Sequence, residues 1–245
     1  NPDLAVVNRS RDTAILLGNA NGTFQPALNY YFFAGDETSS ASSQAAIGDL
    51  NGDGRADLVV GDNLLFGNGD GTFPNRLFIY LPAAINPEFQ SSEPQDVAAG
   101  DLNADGTVDL AVSMRGTTVI LFGHGNGSFL PPMRLDPPVA AGIGNTSNRV
   151  GLADMDGDGD LDLLTLHASL QGGGAVAMWR NAGAGAFSTP LVRNVPFPIY
   201  GSNLVTGPDL GIGDLNGDSF ADVVVTDGGE NNTDSTSSGG VSVML

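Results

Sequence analysis

Asp49-Leu50-Asn51-Gly52-Asp53-Gly54-Arg55-Ala56-Asp57 is answered about fifty residues later by Asp101-Leu102-Asn103-Ala104-Asp105-Gly106-Thr107-Val108-Asp109. The pattern returns as Asp154-Met155-Asp156-Gly157-Asp158-Gly159-Asp160-Leu161-Asp162, and again as Asp214-Leu215-Asn216-Gly217-Asp218-Ser219-Phe220-Ala221-Asp222. Each copy places oxygen-bearing side chains at positions 1, 3, 5 and 9. The copies start 52, 53 and 60 residues apart. A period of that size is the mark of a repeat architecture.

The flanks of each copy repeat as well. A short run of small residues leads in: Ala45 to Gly48, Val97 to Gly100, Val150 to Ala153, Leu210 to Gly213. An almost unbroken apolar run leads out: Leu58 to Val60, Leu110 to Val112, Leu161 to Leu166, Val223 to Val225. A third short run follows, such as Thr117 to Phe122. Then comes a turn, Gly67-Asn68-Gly69-Asp70-Gly71-Thr72-Phe73, echoed at 18–24 and 123–129 and blurred at 181–187. Four short strands in each period, with no helical periodicity, predict an all-β fold, a β-propeller of four-stranded antiparallel blades. Continuous apolar second strands fit sheets covered on both faces. Approximate repeats run 1–43, 44–94, 95–148, 149–208 and 209–245, read as one propeller domain or fragment. Asp3, ahead of Leu4-Ala5-Val6-Val7, matches position 9 of a fifth loop. Three complete and two partial blades are therefore expected, as part of a larger propeller or completed by strands from a neighbouring subunit.

The nine-residue loops carry a ligand set for a hard cation. Ca2+ takes six to eight oxygens and accepts carboxylate, amide and backbone carbonyl together. The expected side-chain ligands are Asp49, Asn51, Asp53 and Asp57; Asp101, Asn103, Asp105 and Asp109; Asp154, Asp156, Asp158 and Asp162; and Asp214, Asn216, Asp218 and Asp222. Position 7, occupied by Arg55, Thr107, Asp160 and Phe220, is expected to offer its backbone carbonyl, because its side chains share no chemistry. Gly at position 6 permits the tight turn, and Ser219 breaks that rule in the fourth loop. About four Ca2+ sites are expected, the third tightest and the fourth weakest. An EF-hand requires Glu at position 12 and flanking helices, but Val60, Val112, Thr165 and Val225 stand there. Mg2+ favours sites that leave it several waters, and zinc lacks ligands in a chain with no Cys and two His. A metal-free Asx-rich turn accounts for any one loop equally well. It accounts poorly for four in register, since clustered carboxylates repel unless a cation neutralises them.

Charge and composition narrow the function. The net charge is −19, with 28 acids against 9 bases, and no basic stripe is present for a nucleic-acid backbone. Thirteen of those acids fall at ligand positions of the four loops, so the charge belongs to sites and not to a solvated tail. The absence of cysteine excludes disulfides and thiolate chemistry. No apolar run is long enough to span a bilayer.

The Gly-Asp-Leu-Asn-Gly-Asp-Gly-x-x-Asp-Leu stretch at 48–58 and the turn at 67–73 resemble the FG-GAP/VCBS repeats of integrin α-subunit propellers and of many secreted bacterial proteins. The resemblance covers nearly the whole chain. It implies a Ca2+-stabilised propeller, usually extracellular and commonly seven-bladed.

The expected role is that of a secreted or cell-surface binding or adhesion module in which the metal is structural. Its protein or carbohydrate ligand is expected on the face opposite the calcium loops, at 34–43, 82–96, 136–148, 168–174, 196–208 and 227–240, since recognition favours scaffolded loops. One alternative is a self-assembling subunit of an extracellular filament or layer, joined through the incomplete terminal blades. The other is a polysaccharide-active enzyme. No catalytic residue is assigned: His124 reads as a solvated turn residue, His167 as a packing residue and Trp179 as core. Tyr30, Tyr31, Phe32 and Phe33 read either as inter-blade filler or as a contact surface.

Overall fold

The computed structural model describes residues 1–8, 12–31, 44–79, 94–114, 116–137, 146–168, 174–195, 209–226 and 241–244. They form five antiparallel sheets with no helix among them. The first contains β1 (Leu4–Val7), β2 (Asp12–Leu16) and β3 (Leu28–Tyr31). The second contains β4 (Ala45–Gly48), β5 (Asp57–Val60), β6 (Asn63–Phe66) and β7 (Asn75–Phe78). The third contains β8 (Asp96–Gly100), β9 (Asp109–Met114), β10 (Thr117–Leu121) and β11 (Met133–Leu135). The fourth contains β12 (Thr146–Ala153), β13 (Asp162–Ala168), β14 (Gly174–Trp179) and β15 (Leu191–Val195). The fifth contains β16 (Asp209–Gly213), β17 (Asp222–Thr226) and β18 (Val241–Met244). Among the described residues three sheets have four strands and two have three, which matches the expected pattern of three complete and two partial blades.

Register repeats from blade to blade. Gly48 pairs with Asp57, Gly100 with Asp109, Ala153 with Asp162 and Gly213 with Asp222. The nine-residue loop is therefore always the connection from a blade's first strand to its second. The turn after the third strand is also constant, with bridges Gly18 to Phe24, Gly123 to Phe129 and Asn181 to Phe187. The last is the turn that looked blurred in sequence; its backbone pairing is preserved.

The core lies between blades and not within them. Ile15 packs with Leu58, Val60 and Leu65 across blades 1 and 2. Leu50, Val59 and Leu64 meet Leu110, Val112 and Val119 across blades 2 and 3. Leu102, Ala111 and Ile120 meet Leu163 and Trp179 across blades 3 and 4. Leu164, Leu166 and Val176 meet Val223 and Val225 across blades 4 and 5. Second strands are thus apolar on both faces, and β5 and β9 are buried at every residue. The outer strand β7, by contrast, is exposed at every residue. Each fully buried Leu contributes about 1.5–3 kcal/mol by its removal from water.

Small residues on the first strands have a steric reason. A Cβ on Gly151 would lie 2.5 Å from Ile212 Cδ1, and one on Gly100 would lie 2.7 Å from Leu161 Cδ1. A side chain at either glycine would have to displace the Leu161 or Ile212 side chain of the next blade.

Candidate metal centre

The loops are curled by their own carboxylates. Asp49 Oδ1 accepts from the N–H of Gly52 at 2.8 Å and of Asp53 at 3.1 Å, and its Oδ2 accepts from Gly54 N–H at 2.8 Å. Asn51 Oδ1 accepts from Asp53 N–H at 2.9 Å, and Asp53 Oδ1 accepts from Arg55 N–H at 2.9 Å. The position-6 bond recurs from Gly106 to Asp101, Gly159 to Asp154 and Ser219 to Asp214. The position-7 N–H of Thr107, Asp160 and Phe220 likewise meets the carboxylate two residues earlier. Curling needs two left-handed residues in each loop. Gly52 and Gly54 have φ of 74° and 80°, and Gly157 and Gly159 have 78° and 93°. Ala104 at 59° and Ser219 at 74° occupy the same conformation with a Cβ. Position 6 was evident in sequence; the equal demand at position 4 was not.

Position 9 does something the sequence reading did not assign. Asp57 is fully buried, and its two oxygens accept from Leu50 N–H at 2.9 Å and Gly67 N–H at 2.9 Å. Asp109 clamps Leu102 and Gly123 in the same way, and Asp162 clamps Met155 and Asn181. Asp222 accepts from Leu215 N–H, and Asp3 accepts from Gly18 N–H. The carboxylate ties the nine-residue loop to the turn after the third strand and so places both on one face. Burial pushes the carboxyls of Asp57, Asp109 and Asp162 above the usual range, and neighbouring loop carboxylates add to that effect. A cation in the loop would oppose both causes.

The third loop, with Asp instead of Asn at position 3, brings three carboxylates together. Carboxylate oxygens of Asp154, Asp156 and Asp162 lie within 4.8 Å of one another. Asp156 Oδ2 is 3.5 Å from Arg180 Nη1, while its Oδ1 is buried and has no hydrogen-bond partner. An unpartnered carboxylate oxygen on one of three converging carboxylates fits the demands of a hard cation. The other loops repeat the hydrogen bonds with Asn51, Asn103 and Asn216 at position 3. In each of them the Asn amide donates to the position-5 carboxylate, at Asp53, Asp105 and Asp218.

The remaining candidates fall where packing puts them. Trp179 is buried between blades 3 and 4. His167 is buried on β13, with Nε2 2.7 Å from Thr165 Oγ1, and burial pushes its pKa down to about 4. His124 is exposed in its turn. Tyr30 packs edge-on against Phe73 and donates to Gly71 O at 2.9 Å, which makes it an inter-blade filler. Tyr31 is exposed, and Phe32 and Phe33 lie outside the described residues. So does most of the opposite-face stretches at 34–43, 82–96, 136–148, 168–174, 196–208 and 227–240.

Two polar ties between blades were missed. The buried Asp96 accepts from Val97 N–H and, across the interface, from Val150 N–H at 2.9 Å. Its pKa is raised to about 6 by burial. Asn181 Nδ2 donates to Leu102 O at 2.7 Å. Asn181 stands where the sister turns have Gly, and that departure was the available signal.

A family profile described as FG-GAP-like repeat matches residues 1–60 and 101–165, just over half of the chain. The chain belongs to the FG-GAP-like repeat family. Both matched segments include a nine-residue loop and its clamping aspartate. No curated protein matches this repeat protein. Among solved structures, a lectin from Agrocybe aegerita, determined for its specific recognition of non-reducing terminal N-acetylglucosamine, is similar at TM-score 0.56 and 21% identity. The alignment covers 98% of this chain and 65% of the lectin. The V. cholerae biofilm matrix protein Bap1 aligns at TM-score 0.37 and 18% identity, over 74% of this chain and 27% of its own. The chain thus spans less than two thirds of either, and the lectin likeness is one of fold.

Proposed function

We propose that this FG-GAP-like repeat protein is an extracellular, calcium-stabilised propeller module, 1–245 forming one domain, that binds a carbohydrate or protein ligand without transforming it. The observation that carries the metal assignment is the convergence of Asp154, Asp156 and Asp162 carboxylates within 4.8 Å of one another, together with the unpartnered Oδ1 of Asp156. The same backbone geometry in the other three loops extends it to about four sites. When bound, Ca2+ would supply the charge that offsets clustered carboxylates and would fix each loop against its turn. Position 1, 3, 5 and 9 side chains and the position-7 carbonyl would hold it.

Binding is favoured over catalysis because the carboxylates at hand are engaged in structure. His167 is enclosed between strands, and His124 faces solvent beside Asp105. A lectin of the same fold supports a sugar ligand, and the FG-GAP-like repeats suit an extracellular setting. No helix among the described residues is long and apolar enough to cross a membrane. The test is a glycan array probed with the folded chain in Ca2+ and, in parallel, in chelator. A restricted set of glycans retained in Ca2+ is expected. Release of a cleaved or eliminated sugar product during incubation would replace this reading with the enzymatic one.

A further inference from the structure

The outer end of an inter-blade groove lies between the outer strand of one blade and the turn after the third strand of the next. Between blades 1 and 2, Tyr30 of β3 fills it. Its ring meets Phe73 edge-on, with centroids 5.6 Å apart, and its hydroxyl donates to Gly71 O at 2.9 Å. Between blades 3 and 4 the indole of Trp179 joins a cluster covered by Met133, Leu135 and Phe187. The groove between blades 2 and 3 has no aromatic ring at either position. Ile79 stands where blade 1 has Tyr30: each lies two residues beyond the partner of a third-strand residue, Leu64 or Ile15. Leu121 stands where blade 4 has Trp179, each opposite the leucine that follows a clamping aspartate. A cavity of about 460 Å3 results, lined by Leu64, Leu77, Ile79, Leu121, Gly127 and Phe129 among others. Leu77, Phe78 and Leu130 at its mouth are exposed.

Both contacts that hold Tyr30 have counterparts in this cavity. Phe129 matches Phe73. Gly127 matches Gly71: the two have φ of 80° and 83°, and each lies against a side chain of the preceding blade, Phe66 or Leu17. Among the described residues no hydrogen bond is donated to Gly127 O. A cation stands at the mouth as well. The Arg76 guanidinium lies 4.7 Å from the centroid of the Phe78 ring and makes no ion pair among the described residues.

We propose that the groove between blades 2 and 3 is a recognition pocket for a tyrosine side chain, flanked by acidic residues, on a partner polypeptide. The ring packs against Leu77 and Leu121, meets Phe129 edge-on and donates its hydroxyl to Gly127 O, as Tyr30 does to Gly71 O. A carboxylate beside the tyrosine pairs with Arg76. A sugar suits these walls poorly, because most of its hydroxyls would be buried without partners. The pocket rests on neither the calcium reading nor the glycan reading.

Titration of the methyl-labelled chain with the blocked tripeptide Glu-Tyr-Glu, followed by NMR, tests the pocket. The ionic strength is held at about 0.15 M, where a Debye length of about 8 Å screens the overall negative charge. The expected result is saturable shifts at the methyls of Leu64, Leu77, Ile79 and Leu121. Glu-Phe-Glu, which lacks the hydroxyl, should bind about fivefold more weakly, and Lys-Tyr-Lys should also bind more weakly. Ile79→Tyr copies Tyr30 into the cavity and should abolish binding while raising the thermal midpoint. Leu77→Ser, at an exposed position that folding tolerates, should weaken binding about fivefold. Absence of shifts at these methyls, equal affinity for the tyrosine and phenylalanine peptides, tighter binding of Lys-Tyr-Lys, or undiminished binding to the Leu77→Ser protein would overturn the proposal.

Discussion

Replacing Asp109 by Asn separates the clamp from the metal. The Asp109 carboxylate is fully buried and receives Leu102 N–H at 2.8 Å and Gly123 N–H at 2.7 Å. A hydrogen bond to a charged group contributes about 1.5–3 kcal/mol, and an orphaned buried N–H costs about 1–3 kcal/mol. Asparagine keeps one acceptor and turns an amide N–H towards the other donor, so one bond is lost and one N–H is stranded. Part of that loss is returned, because burial already disfavours the Asp109 charge. The net cost is about 2–4 kcal/mol, or a fall of roughly 5–15 °C in midpoint for a chain of this length. Both bonds are to backbone, so the loss must appear in chelator as well as in Ca2+. Asp105→Asn is the control: Asp105 is exposed and bonded within its own loop, so its effect should be confined largely to the Ca2+ condition. Calorimetry of the three proteins under both conditions decides the matter. An Asp109→Asn protein within about 0.5 kcal/mol of the parent in chelator would refute the clamp.

Further expectations follow from other positions. Leu102→Ala, at a buried inter-blade site, should cost about 2–5 kcal/mol, while the equivalent Leu215→Ala, at a 58% exposed residue, should cost under about 1 kcal/mol in denaturant titrations. Ser219→Gly relieves a left-handed serine and should stabilise by about 1 kcal/mol, with tighter Ca2+ binding at the fourth loop by calorimetric titration. His167 has its folded pKa lowered to about 4, so its contribution is present above the unfolded 6.5 and is lost as pH falls through that window. Asp96, raised to about 6, has the opposite sign: it costs stability as pH rises from 3.8 through 6 and returns it on acidification. Between pH 7 and 5 in chelator, Asp96→Asn should therefore lose about 1 kcal/mol more than the parent, and His167→Gln about 2 kcal/mol less. Parallel pH–stability profiles for all three proteins would sink both assignments.

Much of the fold was legible because the repeat exposes it. Four copies of the Asp-x-Asn/Asp-x-Asp loop fix where first strands end and second strands begin. The apolar runs after them could only belong to sheets covered on both faces. What stayed hidden depends on contacts across blades. Asp57, Asp109 and Asp162 read as plain ligands at position 9, since nothing local reveals that one oxygen of each holds a backbone N–H seven residues back and the other a backbone N–H ten or more residues ahead. Asp96 looked like an ordinary loop acid, because its partner Val150 is 54 residues distant. Ala104 carried no warning, since a left-handed alanine is visible only in φ. In the candidate metal site, the residue set was readable from spacing, but the unpartnered Asp156 oxygen was not, since it depends on where Arg180 and Asp162 are brought.

The central claim is that these loops hold Ca2+ and that the propeller depends on it. Isothermal titration of the chelator-stripped chain with Ca2+, read together with its thermal midpoint, tests this most directly. The account predicts close to four ions bound per chain and a midpoint that rises with free Ca2+ as mass action requires, by about 2.7 kcal/mol for each site at a hundredfold excess over its Kd. No heat of binding and a midpoint unchanged between Ca2+ and chelator would contradict it.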